Sequence, residues 1–163
     1  MSPALVAGVV LLVLLLTRLL VVEPFSVPTD SMAPTILAGD HVLANKLAYR
    51  DGAPRPDDLV VFHSPADDEL LIKRVVALAG DRVAIEDGVL KVNGRARAEP
   101  YVDAELVDTA YFGPVRVAPG GVFVLGDRRH DSVDSRTFGA IERADIVGRV
   151  QQRIWPPKRI GSF

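Results

Sequence analysis

Three short segments of this 163-residue chain carry side chains that could act together on a covalent bond. The first is FSVPTDSMAPTILAGDHV, where Pro28 and Pro34 bracket Ser31 and stiffen the loop around it. Thr29 lies two residues earlier, so its hydroxyl can reach the same space. A serine hydroxyl attacks poorly until a neighbouring base takes its proton. The second segment, LLIKRVVALAGD, offers such a base in Lys73. Read as a strand, Leu71, Lys73, Val75 and Ala77 share one face, and Leu70, Ile72, Arg74 and Val76 share the other. Both faces are apolar apart from the two cations, so the strand reads as largely buried. Arginine keeps its charge and must find a carboxylate. Lysine can shed its proton when water is removed. At an ordinary pKa near 10.4, roughly one lysine in 2,500 is neutral at pH 7. A depression of two to three units, ~1.4 kcal/mol each, makes a usable base. The third segment, FVLGDRRHDSVDSRTFGAI, gathers Asp127, Asp131, Asp134, Arg128, Arg129, Arg136, Ser132 and Ser135. It reads as a polar shell that orients the base and neutralises the buried arginine. Each segment also has a plainer reading: a turn serine, a lysine snorkelling from a strand end, a solvated loop.

These residues need elements to position them. Ala4 to Val22 reads ALVAGVVLLVLLLTRLLVV, with Thr17 and Arg18 as its polar members. As a helix it spans roughly 28 Å at ~1.5 Å per residue, close to the hydrocarbon thickness of a bilayer. Arg18 lies near the end, where its stem can snorkel to the headgroups. A cleaved secretory signal would place a basic stretch before the run and a small-x-small site after it, and neither is found. A run this long and apolar is also unusual for a core helix. Residues 1–22 therefore read as a membrane anchor and 23–163 as the working domain. No Lys or Arg precedes the run, so orientation in the membrane is only weakly encoded.

Glu23 and Pro24 are expected to end the helix. Beyond them, short apolar runs alternate with Gly, Pro and Asp. His41–Leu47, Leu59–His63, Leu70–Leu78, Arg82–Glu86, Val89–Val92, Val115–Val117, Val122–Leu125 and Ile146–Ile154 read as strands. Asp87-Gly88 is a two-residue hairpin signal and Asn93-Gly94 a second tight turn. Pro54, Pro56, Pro65, Pro114 and Pro119 are expected between strands. No periodic helix follows Val22. The fold should be mostly β, an antiparallel barrel or sandwich behind one N-terminal transmembrane helix.

Composition closes several other routes. There is no cysteine, so disulfides and thiolate chemistry are excluded. The three histidines, His41, His63 and His130, lack the spacing of a zinc site, and no metal or organic cofactor is expected. A formal net charge of −2 gives no nucleic-acid footprint.

Taken in order, the segments resemble the type I signal peptidases, serine–lysine enzymes that release signal peptides from exported proteins. SMAPTI followed by GD looks like the family's nucleophile box, DDLVVF its following strand, IKRVVALAGD its lysine box and GDRRHDSVDSR its Gly-Asp loop. The resemblance implies Ser31 as nucleophile and Lys73 as general base. It implies Thr29 as oxyanion donor with the Ser31 N–H, and Ser132 as the group orienting the lysine. It implies Arg74 paired with Asp127, and Asp134 with Arg136. Phe25, Val27, Met32 and Leu71 match positions near clefts that accept small residues at −1 and −3 of the signal peptide. It further implies a catalytic domain on the extracytoplasmic side of the plasma membrane, with signal peptides of preproteins and the lipid bilayer as partners. Arg128, His130 and Asp131 depart from the family's usual Asn, Asp and Asn, and Asp30 stands where a small residue is common. Two alternatives stay open: a related Ser–Lys membrane peptidase with another substrate, of inner-membrane or conjugation type, and a non-catalytic membrane-tethered β-domain that binds exported chains.

Overall fold

A computed structural model describes residues 2–103 and 111–163, with the side chains of residues 17–20 outside the description. Helix α1, Pro3–Leu20, is an 18-residue element rich in Leu and Val. Its apolar side chains face outward on every side, from Leu5 (54% exposed) to Leu11 (69%) and Leu16 (44%). Among the described residues no helix is long and apolar enough to cross a membrane. Arg18, read above as a snorkelling cation, lies outside the described side chains.

The chain leaves α1 directly into β1 (Val22–Ser26), so Val22, Glu23 and Pro24 belong to a strand where the sequence pattern suggested the end of the helix. Pro24 is tolerated because β1 is the outer strand of its sheet. There follow β2 (His41–Asn45), β3 (Leu59–His63), β4 (Leu70–Leu78), β5 (Arg82–Glu86), β6 (Val89–Val92), β7 (Arg95–Ala96), β8 (Phe112–Arg116) and β9 (Gly121–Leu125). A single helical turn α2 (Ser135–Phe138) precedes β10 (Ile141–Glu142), β11 (Ile146–Trp155) and β12 (Gly161–Ser162). Mostly β, antiparallel architecture is thus what the chain adopts. Strand β8 starts earlier than its apolar residues suggest and contains Pro114, which lies within a strand rather than between strands. That strand is again an outer one, where a missing N–H costs no ladder bond.

Two antiparallel sheets result. The larger has eight strands, ordered β1-β2-β11-β3-β4-β9-β10 with β12 added to β11, and the smaller runs β7-β6-β5-β8. The β5–β6 hairpin turns at Asp87 (φ 49°) and Gly88 (φ 77°), the left-handed pair that a tight two-residue turn requires.

Strand β3 is covered on both faces: Val61 packs with Val27, Met32, Ile36 and Val42, while Val60 and Phe62 pack with Val75, Val122 and Val124. The first of these clusters fastens the loop around Ser31 onto the sheet. A third cluster of Val76, Val83, Leu90 and Phe123 joins the two sheets. Strand β4 is fully buried from Lys73 to Ala77. It pairs with β3 along Leu70–Arg74, but with β9 only from Arg74 onward. The β9-side edge of residues 70–73 is therefore paired with no strand among the described residues.

Candidate active site

Residues 30–36 form a compact run of turns. Met32 and Ile36 are 1% and 0% exposed and root it in the core. The Ala33 N–H donates to the Asp30 carbonyl (2.9 Å), and the Ile36 N–H to the Met32 carbonyl (2.9 Å). Asp30, unexpected beside a nucleophile, braces its own loop, since its Oδ1 accepts the Ala38 N–H at 2.8 Å. The far side of the loop is held by the 126–136 segment, whose Arg128 N–H donates to the Ser31 carbonyl at 3.1 Å. Gly126 makes this approach possible. A Cβ there would lie 2.6 Å from the Ser31 carbonyl oxygen and closer still to Ser132 Oγ.

Lys73 reaches this loop from the middle of the large sheet. The residue is 3% exposed, and Nζ donates to Ser31 Oγ at 2.7 Å. Thr29 Oγ1 donates to the same oxygen at 3.3 Å. Burial pushes the Lys73 pKa down to about 8, against the opposing pull of Asp134 and Asp127 and with added help from Arg136. The two carboxylates cannot rescue the ammonium because arginines already hold them. Arg74 grips Asp127 bidentately (2.8 and 2.6 Å), with Thr35 Oγ1 donating to the same carboxylate at 2.5 Å. Asp134 takes Arg136 Nε at 2.9 Å and the Gly126 N–H at 3.1 Å. Lys73 has no ion pair among the described residues.

Thus Ser31, Lys73 and Thr29 converge, and Arg74 with Asp127 and Asp134 with Arg136 frame them. Ser132 differs from the expectation. Its Oγ is buried and has no hydrogen-bond partner among the described residues, so no bond to the lysine is present. His130 and Asp131 pair with each other on the surface at 2.7 Å. Two supporting side chains escaped the sequence reading. Thr35 completes the Asp127 cage, and the Arg74 guanidinium sits over the Tyr101 ring, 3.8 Å from Cζ to the ring centre. Neither carries a local signal, since both meet Arg74 across the fold. The Ser31 N–H makes no hydrogen bond among the described residues.

Two cavities meet at the Ser31–Lys73 pair. The smaller, about 250 Å³, is lined by Phe25, Val27, Met32 and Leu71, the four expected pocket residues, and also by Leu70 and Ile72. The larger, about 330 Å³, has a charged wall that includes Asp67, Glu69, Arg128 and Asp131, which the sequence reading left unassigned to any pocket. Among the described residues no cluster of His, Cys, Asp or Glu could hold a metal ion. The arrangement is chemically suited to attack by an alcohol on a carbonyl, with a desolvated amine as base and an apolar floor on one side.

Residues 2–155 match the family described as signal peptidase, peptidase S26. The chain is 41% identical to signal peptidase I of Bacillus caldolyticus over 87% of this chain and 84% of the relative. It is 39% identical to the probable thylakoidal processing peptidase 2 of Arabidopsis thaliana, covering 91% of this chain and 42% of that longer protein. The crystal structure of a signal peptidase I from Enterococcus faecalis V583 superposes with a TM-score of 0.53 at 31% identity, over 59% of this chain and 95% of the other.

Proposed function

The chain belongs to the signal peptidase I family, serine peptidases of the S26 type that remove signal peptides, and from that premise we propose that Ser31 and Lys73 carry out the hydrolysis. The observation that carries this reading is the 2.7 Å contact between Ser31 Oγ and the amine of Lys73, a residue that is 3% exposed and has no counter-ion among the described residues. In its neutral form Lys73 takes the Ser31 proton as Oγ attacks the scissile carbonyl. The developing oxyanion is met by the Ser31 N–H and, after a small rotation, by the Thr29 hydroxyl. Collapse of the tetrahedral species breaks the C–N bond, and Lys73 returns the proton to the leaving amine. The same amine then activates the water that hydrolyses the acyl-enzyme.

Substrate binding follows from the free edge of β4. A signal peptide laid along Leu70–Lys73 would complete the sheet there, with backbone hydrogen bonds supplying affinity. In an extended chain the −1 and −3 side chains fall on the same face. Both would meet the apolar pocket of Phe25, Val27, Met32 and Leu71, where about 250 Å³ shared between two side chains would favour small ones.

Signal peptidases are membrane-associated, and α1 supplies the means here. An 18-residue helix is about 27 Å long, and its apolar side chains are exposed on all faces. Such a surface is stable only in lipid or against an apolar partner. We place α1 in the bilayer as a single anchor, with the β-domain at the extracytoplasmic surface next to the emerging substrate. The test is cleavage of a preprotein by the full-length chain in detergent, read by the mass of the product N-terminus. Ser31→Ala should abolish cleavage while the protein still folds, at a cost of about 1–3 kcal/mol because the buried Lys73 loses its hydrogen-bond acceptor. Cleavage that survives in Ser31→Ala would overturn the assignment.

A further inference from the structure

The two cavities that meet at the active site differ in charge. The first is walled mainly by Phe25, Val27, Met32, Leu71 and Ile72, with Glu69 on the boundary it shares with the second, and suits the small apolar residues before the cleaved bond. Both cavities share Ser31 and Lys73, so a chain cut at Ser31 must continue into the second. There four acids, Asp30, Asp67, Glu69 and Asp131, outnumber two cations, Arg128 and Lys73 itself. Asp30 is tied to the Ala38 N–H, Asp67 to the Glu69 N–H, and Asp131 to His130. The side chains of Glu69 and Arg128 have no hydrogen-bond or ion-pair partner among the described residues. These acids do not stand alone on the surface. The buried Lys73 amine and the Ser31 hydroxyl open into the same cavity, so substrate necessarily passes them.

We propose that this second cavity is the subsite for the first residues of the released chain, and that its charge makes the enzyme favour basic over acidic side chains at positions +1 to +3. This rests on Ser31 and Lys73 being the cleaving groups. Arg128 and Asp131 stand where the family's usual residues are uncharged, so the preference belongs to this chain rather than to the fold. Several acidic groups across an exposed cavity act through water, so each contributes modestly and is screened by salt. Their combined field also adds to the attraction of basic segments toward the site.

The experiment uses the full-length enzyme and three peptides that are identical up to the scissile bond, carrying Lys, Gln or Glu at +2. At low salt the kcat/KM ratio of the Lys to the Glu peptide should be about tenfold, shrinking toward unity at high salt. In the variant with Asp67→Asn, Glu69→Gln and Asp131→Asn the ratio should collapse to about one. In Arg128→Gln it should rise. Ratios within one variant cancel any change in overall rate. Failure to cut the Gln peptide would overturn the catalytic assignment itself. Cleavage of all three peptides at equal rates, or a preference that persists in the triple variant, would overturn the subsite alone.

Discussion

Replacing Lys73 by Met should stabilise the protein at neutral pH while destroying its activity. Lys73 is 3% exposed and its pKa falls from 10.5 to about 8, mainly because burial penalises the charged form. That fall corresponds to about 3 kcal/mol. In the unfolded chain the lysine stays protonated up to its ordinary value, whereas the folded protein releases the proton near 8. Between those values the unfolded state binds more protons, so stability rises with pH across that window. Below pH 8 both states are protonated, and the folded protein bears the whole cost of a buried, unpaired ammonium. Methionine has a similar length and no charge, so Lys73→Met should gain up to about 3 kcal/mol at pH 7 and almost nothing above pH 10.5. Urea unfolding of both full-length proteins in the same detergent, at several pH values, isolates the effect, because all other titrations cancel in the difference. In parallel, kcat/KM of the parent should climb roughly tenfold per pH unit up to about 8 and then level off. A Lys73→Met protein less stable than its parent at pH 7, or a difference that ignores pH, would refute the reasoning.

Other outcomes follow from the same geometry. Thr29→Val keeps the shape beside Ser31 but removes the hydroxyl; kcat should fall about 10²-fold with KM little changed, as steady-state kinetics would show. Asp127→Asn strips the counter-charge from the buried Arg74 and should cost about 3–5 kcal/mol, read as a lower urea midpoint at unchanged slope. Gly126→Ala puts a methyl group 2.6 Å from the Ser31 carbonyl oxygen. The nucleophile loop must then shift, and kcat should drop about 10²-fold with the circular dichroism spectrum retained.

Much of the fold was legible because β-strands announce themselves by composition and turns. Leu59–His63, Leu70–Leu78, Arg82–Glu86 and Val89–Val92 occupy the spans their sequence suggests. These are short β-branched runs with Gly, Pro or Asp at their ends. Strand β1 was hidden because Glu23 and Pro24 read as helix terminators, and only pairing with β2 makes the segment a strand. The two-residue strands β7, β10 and β12 have too little sequence to carry a pattern. Within the site, the approach of Lys73 to Ser31 could be suspected from residue type and burial, but the distance depends on a sheet built from residues 41 to 155. The Tyr101 stack, the Thr35 bond and the unpartnered Ser132 hydroxyl are long-range facts with no local trace.

Adjacent cations on one buried strand make the chemistry possible because they are treated in opposite ways. Lys73 and Arg74 point to opposite faces of β4, and both are almost out of reach of water. Arg74 retains its charge because Asp127, Thr35, the Asp57 carbonyl and the Tyr101 ring surround it. Among the described residues Lys73 meets only a hydroxyl, since the nearby carboxylates of Asp127 and Asp134 are held by Arg74 and Arg136. Each arginine thus does more than neutralise an acid: it withholds that acid from the lysine. Freeing a carboxylate should therefore act on the base before it acts on the fold. Arg136→Gln would release Asp134 toward Lys73, raise the lysine pKa above 8, and move the kcat/KM profile to higher pH. A profile that stays in place while stability falls would mean that Arg136 supports the loop and nothing more.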